Sequence, residues 1–449
     1  MFCIIETQEE FDNFLDTIKD QIIICVPIMS DIRLHYVHDY LSLLYVREIN
    51  SINGVILCFN HSESLSISYE NLHVLFQSVS NAYIYDLKCI LQYCNYKHVY
   101  DLDLVQYFKT NTHYNESDYN TNVHEYFYSK YYKLHNVNYL IPITKHYERS
   151  EDFINKVIPD LIVFDNNDAF KWYNIMYRQL SKIENVGLYI NPEIFKLYFT
   201  TEPVNNLVYS EYNMYTTTGR PSNRFDGVNY AALNTTNEVR KSFISRYGDD
   251  GILMQLDYEA YHVRLLGNLV GYTFEDNINT HIYLGRQYFG KQELTESEYE
   301  ESKKITFKLV YGRITPEFLK IPFFKMVSDY TEVLWTKMKL YGYIKTPIFG
   351  RILHKNFFTD LNPQKVLNYL LQAYETENNM YTLSKYLQAN LTTTSKIILY
   401  TYDSFVIDLH KSEMDKVKEI KNIFEDNGKY PCTLQVGHNY DDLITIRTR

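Results

Sequence analysis

The sequence predicts a mixed α/β protein of α+β character, and three stretches carry that reading. Near the N-terminus Thr7 and Glu10 form a capping-box pattern, and Phe11, Phe14, Leu15 and Ile18 recur at helical spacing. An apolar run from Ile22 to Val26 follows, so the start of the chain reads β-α-β. Further on, an apolar run beginning at Ile252 ends in Asp257 and gives way to a helical pattern, with Val263, Leu266 and Val270 on one face and Leu265 and Leu269 beside it. The helix can then pack while Asp257 stands at the tip of a buried strand and points away from the core. Near the C-terminus, Lys396 to Asp408 reads as a β-hairpin with Asp403 at its tip. Two such acids brought together would bind a pair of divalent cations, the layout used for in-line phosphoryl transfer.

Length and composition bound the alternatives. At 449 residues the chain is long enough for two or three domains, and its 45% hydrophobic content is ordinary for a protein with a real core. The formal net charge of −11 argues against a protein that coats nucleic acid indiscriminately, while leaving room for a local basic cleft. The six cysteines are scattered, with no Cys-x-x-Cys and no zinc spacing, which argues against structural zinc and a disulfide framework and for a reducing compartment. No apolar run approaches the ~18 residues of a membrane span, and the N-terminus lacks a signal-peptide pattern. A cytoplasmic protein is expected, in host cytoplasm for a viral one, neither secreted nor membrane-bound. The 45 tyrosines, with many Asn, Ile and Lys, suggest an AT-rich coding genome.

The remaining elements follow in order. Val55 to Phe59 reads as a buried strand, Asn71 to Val79 as a helix, and Ala82 to Asp86 as a strand ending in an acid, with Asp101 and Asp103 beyond. Ile175 to Ile183 continues helically into Glu184-Asn-Val-Gly-Leu-Tyr-Ile-Asn191. About two dozen residues separate this from Thr216, room for one short helix at ~1.5 Å per residue. Thr217-Thr-Gly-Arg-Pro-Ser222, Arg240-Lys-Ser-Phe243 and Asp257-Tyr-Glu-Ala-Tyr-His-Val-Arg264 come next.

After Asn279-Thr-His281, Thr295 and Glu298 form a second capping box, Glu300 and Lys304 are expected to pair at i, i+4, and Gly312 closes the pattern. Residues 296–311 therefore read as one helix, on which Lys303, Phe307 and Tyr311 share a face. An aromatic stripe is more often core, but a lysine on the same stripe argues against core because burying it unpaired is costly. Gly342-Tyr-Ile-Lys-Thr-Pro-Ile-Phe-Gly-Arg351, Asn368 and Gln372 on a further helix, Tyr402-Asp-Ser404 and Val436-Gly-His-Asn-Tyr440 complete the series.

Taken in order over roughly 217 to 440, these segments resemble the family A, Pol I-like DNA polymerases. The resemblance implies a right-hand polymerase palm and fingers at 216–449, with fingers at about 276–345, and a connecting helix with a vestigial thumb at 151–215. It also implies an RNase H-like domain of the 3′→5′ exonuclease type at 1–150. Tyr85-Asp86 matches that domain's second motif. Its Asp-x-Glu falls where this chain has Cys25-Val-Pro-Ile28, and its third motif has no counterpart around Tyr114 to Asn122, so the domain is expected to be inactive and Asp86 to be a strand-end acid.

In the polymerase part, the resemblance implies that Asp257 and Asp403 hold two Mg²⁺ ions and carry catalysis together with Lys303. It assigns Tyr258, His262, His281, Phe307 and Tyr311 to the nucleotide, and Arg220, Arg264, Asn368 and Gln372 to the DNA. The chain departs from the family in four ways. His262 replaces a glutamate that blocks the 2′-OH of a ribonucleotide, and Tyr299 replaces an arginine, leaving His281 or Lys304 for the triphosphate tail. Ser404 replaces the acid after Asp403, and the thumb is short. The implied partners are primer-template DNA, dNTPs and a possible processivity factor, in viral or phage replication. An RNA-synthesising relative and a non-catalytic nucleic-acid-binding scaffold are the alternatives.

Overall fold

The first capping box closes as its spacing predicts, with Thr7 Oγ1 accepting from the Glu10 N–H at 3.3 Å and Glu10 Oε2 accepting from the Thr7 N–H at 3.0 Å. The computed structural model describes residues 3–5, 7–29, 40–49, 52–60, 70–85, 87–91, 94–112, 152–155, 157–158, 161, 164, 167–200, 202–209, 211–224, 233, 238–275 and 278–446. The chain forms two compact units, Met1–Asn174 and Ile175–Arg449.

In the first unit β1 (Cys3–Ile5) leads into α1 (Gln8–Ile18), β2 (Ile22–Met29), β3 (Tyr40–Ile49), β4 (Ile52–Asn60), α2 (Glu70–Ser78), β5 (Asn81–Ile84), β6 (Val99–Asp101) and α3 (Leu102–Thr110). The sheet runs β1-β3-β4-β2-β5-β6. Strands β4, β2, β5 and β6 are parallel, and β3 returns antiparallel to β4. Ile23 and Ile24 are both fully buried, so β2 is covered on its two faces, as a parallel strand's continuous apolar run requires. Pro27 fits on β2 because of where its missing N–H would point. The Cys25 carbonyl accepts from Tyr85 on the β5 side, and Pro27, two residues on, faces that side past the end of β5. Asp101 is buried, and its carboxylate accepts from the Leu87 N–H at 2.9 Å and the Asp103 N–H at 3.0 Å, capping α3. Asp86 and the stretch from Tyr114 to Asn122 lie outside the described residues.

In the second unit α4 (Asp168–Val186), whose N-terminal turns belong to the first, ends at Gly187 with φ +66°. Strand β7 (Leu188–Tyr189) and α5 (Pro192–Phe195) follow, the latter capped by Asn191. Among the described residues, the stretch from Asn191 to Thr216 holds this four-residue helix with β8 (Leu207–Val208) and β9 (Glu211–Asn213), and β10 (Ser222–Arg224) pairs back on β9.

The second unit is built on a five-stranded antiparallel sheet in the order β14-β15-β11-β16-β17: Lys396–Thr401, Ser404–His410, Gly251–Tyr258, Cys432–Gly437 and Ile444–Ile446. Leu253, Ile398, Leu399 and Val406 pack with Leu188, Ile190, Phe195, Val208 and Phe243 in one core, so the short elements after α4 support the sheet. Helix α6 (Tyr261–Val270) follows β11, and α7 (Thr280–Phe289), α8 (Glu296–Tyr311) and α9 (Pro322–Tyr341) form the segment expected as fingers. Helix α8 starts at the expected capping box. Its Glu300 pairs with Lys303 at 2.8 Å, three residues on, and not with Lys304 as its spacing predicts. Strands β12 (Tyr343–Lys345) and β13 (Ile352–His354) then pair, and the 27-residue α10 (Pro363–Ala389) and α11 (Val417–Phe424) complete the unit. Among the described residues no helix is long and apolar enough to cross a membrane.

Candidate active site

Backbone pairing brings the two aspartates together. Asp257, on the central strand β11, stands opposite Ser404 of β15 and Thr433 of β16. Asp403 lies in the turn between β14 and β15, where its carbonyl accepts from the Tyr258 N–H at 3.0 Å. Burial first, and then the neighbouring Asp403, push the Asp257 carboxyl up to about 7. Asp403 is raised by burial and then by Glu375. Two desolvated acids side by side resist carrying two negative charges unless a cation joins them.

The turn itself is strained. Tyr402 sits at φ +52°, a region bulky residues rarely adopt, and two contacts hold it there. Asn379 Nδ2 donates to its carbonyl at 2.6 Å, and the Arg220 guanidinium lies 3.9 Å over its ring.

Arg220 leads to a residue that the motifs did not single out. Glu375, buried on α10, lies with Oε2 2.8 Å from Arg220 Nε, and its Oε1 accepts from Nη2 at 3.1 Å. Its Oε2 is also 3.3 Å from His262 Nε2, while His262 Nδ1 meets the Tyr311 hydroxyl at 2.6 Å. About one and two turns back on the same helix, Gln372 accepts from Thr218 at 3.3 Å, and Asn368 donates to the Tyr311 carbonyl at 3.1 Å. Asn368, Gln372, Glu375 and Asn379 follow at i, i+4, i+7 and i+11, one helical face. That spacing was the signal in the sequence that could have found Glu375.

On α8, Phe307 and Tyr311 are exposed and stack with ring centroids 6.0 Å apart. Lys303 pairs with Glu300 and lies 4.2 Å over the Tyr299 ring, so the aromatic in the family's arginine position supports the lysine. His281 packs against Phe307, with centroids 5.5 Å apart. Burial, and then the positive Lys303, push His281 down to about 4. At neutral pH it is therefore an uncharged hydrogen-bonding group, and a cationic role in its neighbourhood falls to Lys303 and Arg264. Burial lowers Arg264 too, and its Nε is buried without a hydrogen-bond partner among the described residues. His281 Nδ1 and Asn368 Oδ1 share that condition. Arg220 Nε, His262 Nε2 and Glu375 Oε2 are likewise buried without a hydrogen bond among the described residues.

Comparison with known proteins follows from this geometry. No protein-family model matches the chain. The DNA polymerase of Bacillus phage SP01 is 24% identical over 342 residues, which is 62% of this chain and 37% of that protein. DNA polymerase I of Synechocystis sp. is 22% identical over 208 residues, 41% of this chain and 20% of that protein. The chain thus spans little more than a third of the length of the first relative and a fifth of the second. Among solved structures, the POL domain of Pol1 from M. smegmatis, in complex with DNA primer-template and dNTP, matches with a TM-score of 0.62 at 12% identity. That match covers 92% of this chain and 94% of the other. The chain is similar to family A DNA polymerases of the Pol I type.

Against that Pol I-like fold, Tyr258 lies away from the cleft. Its ring is buried, stacks on Tyr261 with centroids 4.2 Å apart, and its hydroxyl donates to the Phe424 carbonyl at 2.8 Å, so its side chain is core and not a nucleotide surface. Asn279, aligned with the family's acid before His281, caps α7 by accepting from the His281 N–H at 2.9 Å. Arg351, at the end of the Gly342 motif, is buried, near the equally buried Glu377, which accepts from the Ile348 and Phe349 N–H groups at 3.0 and 2.9 Å. Both serve the loop that carries the motif. Among the described residues, no group of three or more His, Cys, Asp or Glu is arranged to hold a metal.

Proposed function

We propose that the protein is a template-directed DNA polymerase that adds deoxynucleotides to a primer 3′-OH. The observation that carries this reading is the meeting of Asp257 and Asp403 across the end of β11 and the β14–β15 turn. The Lys303, Phe307 and Tyr311 face of α8 is tied to the same place through the Tyr311–His262 hydrogen bond. Asp257 and Asp403 would hold two Mg²⁺ ions, which supply charge neutralisation for the triphosphate and an acidified primer hydroxyl. The raised carboxyls of both residues fit such a role, since a divalent cation relieves the repulsion between them.

Around that pair, Lys303 attracts the nucleotide phosphates, Phe307 and Tyr311 support the nucleoside, His262 crowds the sugar 2′ position, and Arg264 faces the DNA. Arg220, Asn368 and Gln372 receive the primer-template duplex, with Arg220 reaching the minor groove, whose acceptors are nearly independent of sequence. The solved neighbour's primer-template and dNTP, and the phage relative, support DNA as substrate and viral replication as the setting. The segments at 1–150, 151–215 and 216–449 are read as an inactive exonuclease-like domain, a vestigial thumb and the palm with fingers. A primer-extension assay with dNTPs and then with NTPs tests the proposal. Extension with dNTPs supports it, preference for NTPs would make the protein an RNA-synthesising relative, and extension with neither would leave a nucleic-acid-binding scaffold.

A further inference from the structure

The gate position of this chain holds a histidine, yet a carboxylate stands next to it. It comes from a different element: Glu375 of α10, buried to 1% exposure, points its oxygens at His262 and Arg220 together. We infer that Glu375 is a positioning residue for sugar selection, holding His262, Tyr311 and Arg220 in one connected chain beside Asp403. The inference rests on the polymerase reading.

Glu375 Oε2 stands 3.3 Å from His262 Nε2, close enough to wall off that edge of the ring although the two atoms are not aligned as a hydrogen bond. On the other edge of the ring, Nδ1 and the Tyr311 hydroxyl share a hydrogen bond across 2.6 Å. An imidazole contacted at both nitrogens cannot swing, and a wall against a 2′-hydroxyl must not swing. Without the Glu375 carboxylate one edge of the ring loses its neighbour, and the Tyr311 hydroxyl loses a fixed partner. The same carboxylate accepts from Arg220 Nη2 at 3.1 Å and lies 2.8 Å from Nε as an ion pair without hydrogen-bond alignment, which keeps the guanidinium over the Tyr402 ring, one residue before Asp403. Sugar gate, minor-groove arginine and catalytic turn therefore share one anchor. A purely structural ion pair would hold α10 to the Arg220 loop but would leave sugar discrimination untouched.

The test compares kcat/KM for a deoxynucleotide and for the matching ribonucleotide on a primer-template, using the full chain. E375Q should lower the ratio of the two by roughly tenfold, and E375D should restore part of it. Y311F removes one hydroxyl from a half-exposed ring and should lower the ratio similarly. The E375Q/Y311F double variant should lose no more than the worse single variant, because the chain is broken once. A parent-like ratio in folded E375Q, or losses that simply add, would overturn the role of Glu375. If E375Q does not fold, E375D and Y311F carry the comparison, and parent-like ratios in both overturn the inference. A parent protein that extends nothing overturns the polymerase reading and this inference with it. An active parent with an unmoved ratio in the variants overturns Glu375 alone.

Discussion

Asp257 and Asp403 owe their proximity to backbone hydrogen bonds, through strand register and the Tyr258 N–H to Asp403 carbonyl bond, and not to anything their carboxylates do. An asparagine at either position keeps the placement and removes the charge. Asp257→Asn and Asp403→Asn are each expected to lower primer extension by at least about 100-fold while thermal unfolding and duplex binding stay near the parent's. Near-parent activity in either folded variant would remove that residue from catalysis. These two acids and the Lys303 stripe were legible because each sits in a contiguous pattern whose chemistry is local. Glu375 was not singled out, since only its helical spacing from Asn368 and Gln372 marks it and its partners lie 155 and 113 positions away, at Arg220 and His262. The charge of His281 was not legible either. A histidine's protonation is decided by burial and by Lys303, both of which are properties of the folded site.

Elements fixed by local capping were read most accurately, as at Thr7 and Thr295, while sheet order was not readable because strand pairing is set by distant partners. Helix α10 resisted reading for a related reason. From Ala373 to Met380 every residue is buried, so no amphipathic stripe separates its site face from its core face.

Close packing gives one prediction at this scale. Gly285 lets α7 lie against α8, and a Cβ there would stand 2.5 Å from Leu294 Cδ1 and 2.9 Å from Ser302 Cβ. The leucine methyl can turn away, but Ser302 Cβ moves only with its helix. Gly285→Ala should therefore cost about 1–3 kcal/mol in chemical denaturation. It should also weaken nucleotide binding, because Ser302 donates to the His281 carbonyl at 3.0 Å. Unchanged stability would mean that the two helices have room to separate.

The hairpin carrying Asp403 gives another. Burial alone would raise Glu413, but the Ser395 hydroxyl and the N–H groups of Thr394, Ser395 and Thr393 outweigh it and hold the carboxyl at about 2. These bonds organise the entry to β14. A depressed carboxylate contributes stability that is fully present above the unfolded-state value near ~4.4 and is lost as pH falls toward 2. Glu413→Gln should cost about 1–3 kcal/mol at pH 7, and that difference should shrink below pH 4. A pH-independent difference in melting would assign the effect to packing and not to charge.

For the molecule as a whole, both functions of the family can be tested separately. A strand inside the first unit's sheet carries buried Cys25 and Val26 at the positions the exonuclease resemblance assigns to metal-binding acids, so the proposed reading expects no excision of a 3′-mispaired primer with Mg²⁺ or Mn²⁺ and no nucleotides. Excision that disappears in Asp86→Ala would mean that ligands lie elsewhere.

The remaining prediction concerns grip on DNA. Between Asn191 and Thr216 the described residues offer a four-residue helix and short strands where a long helical thumb would wrap the duplex behind the active site. Each lysine or arginine that neutralises a phosphate releases a counterion, so fewer such contacts mean both weaker binding and a flatter dependence on salt. A net charge of −11 supplies no general attraction to replace them. Fewer than about six phosphate contacts would give a slope of log K against log salt shallower than about −5. The chain alone should then leave its template after few additions in single-encounter extension. A tethering partner would restore long products by raising the local concentration of DNA without adding any catalytic contact, so it should increase product length more than the rate of the first addition. Long products from the isolated chain, together with a steep salt slope, would instead mean that its own surface already encloses the duplex and that no partner is required.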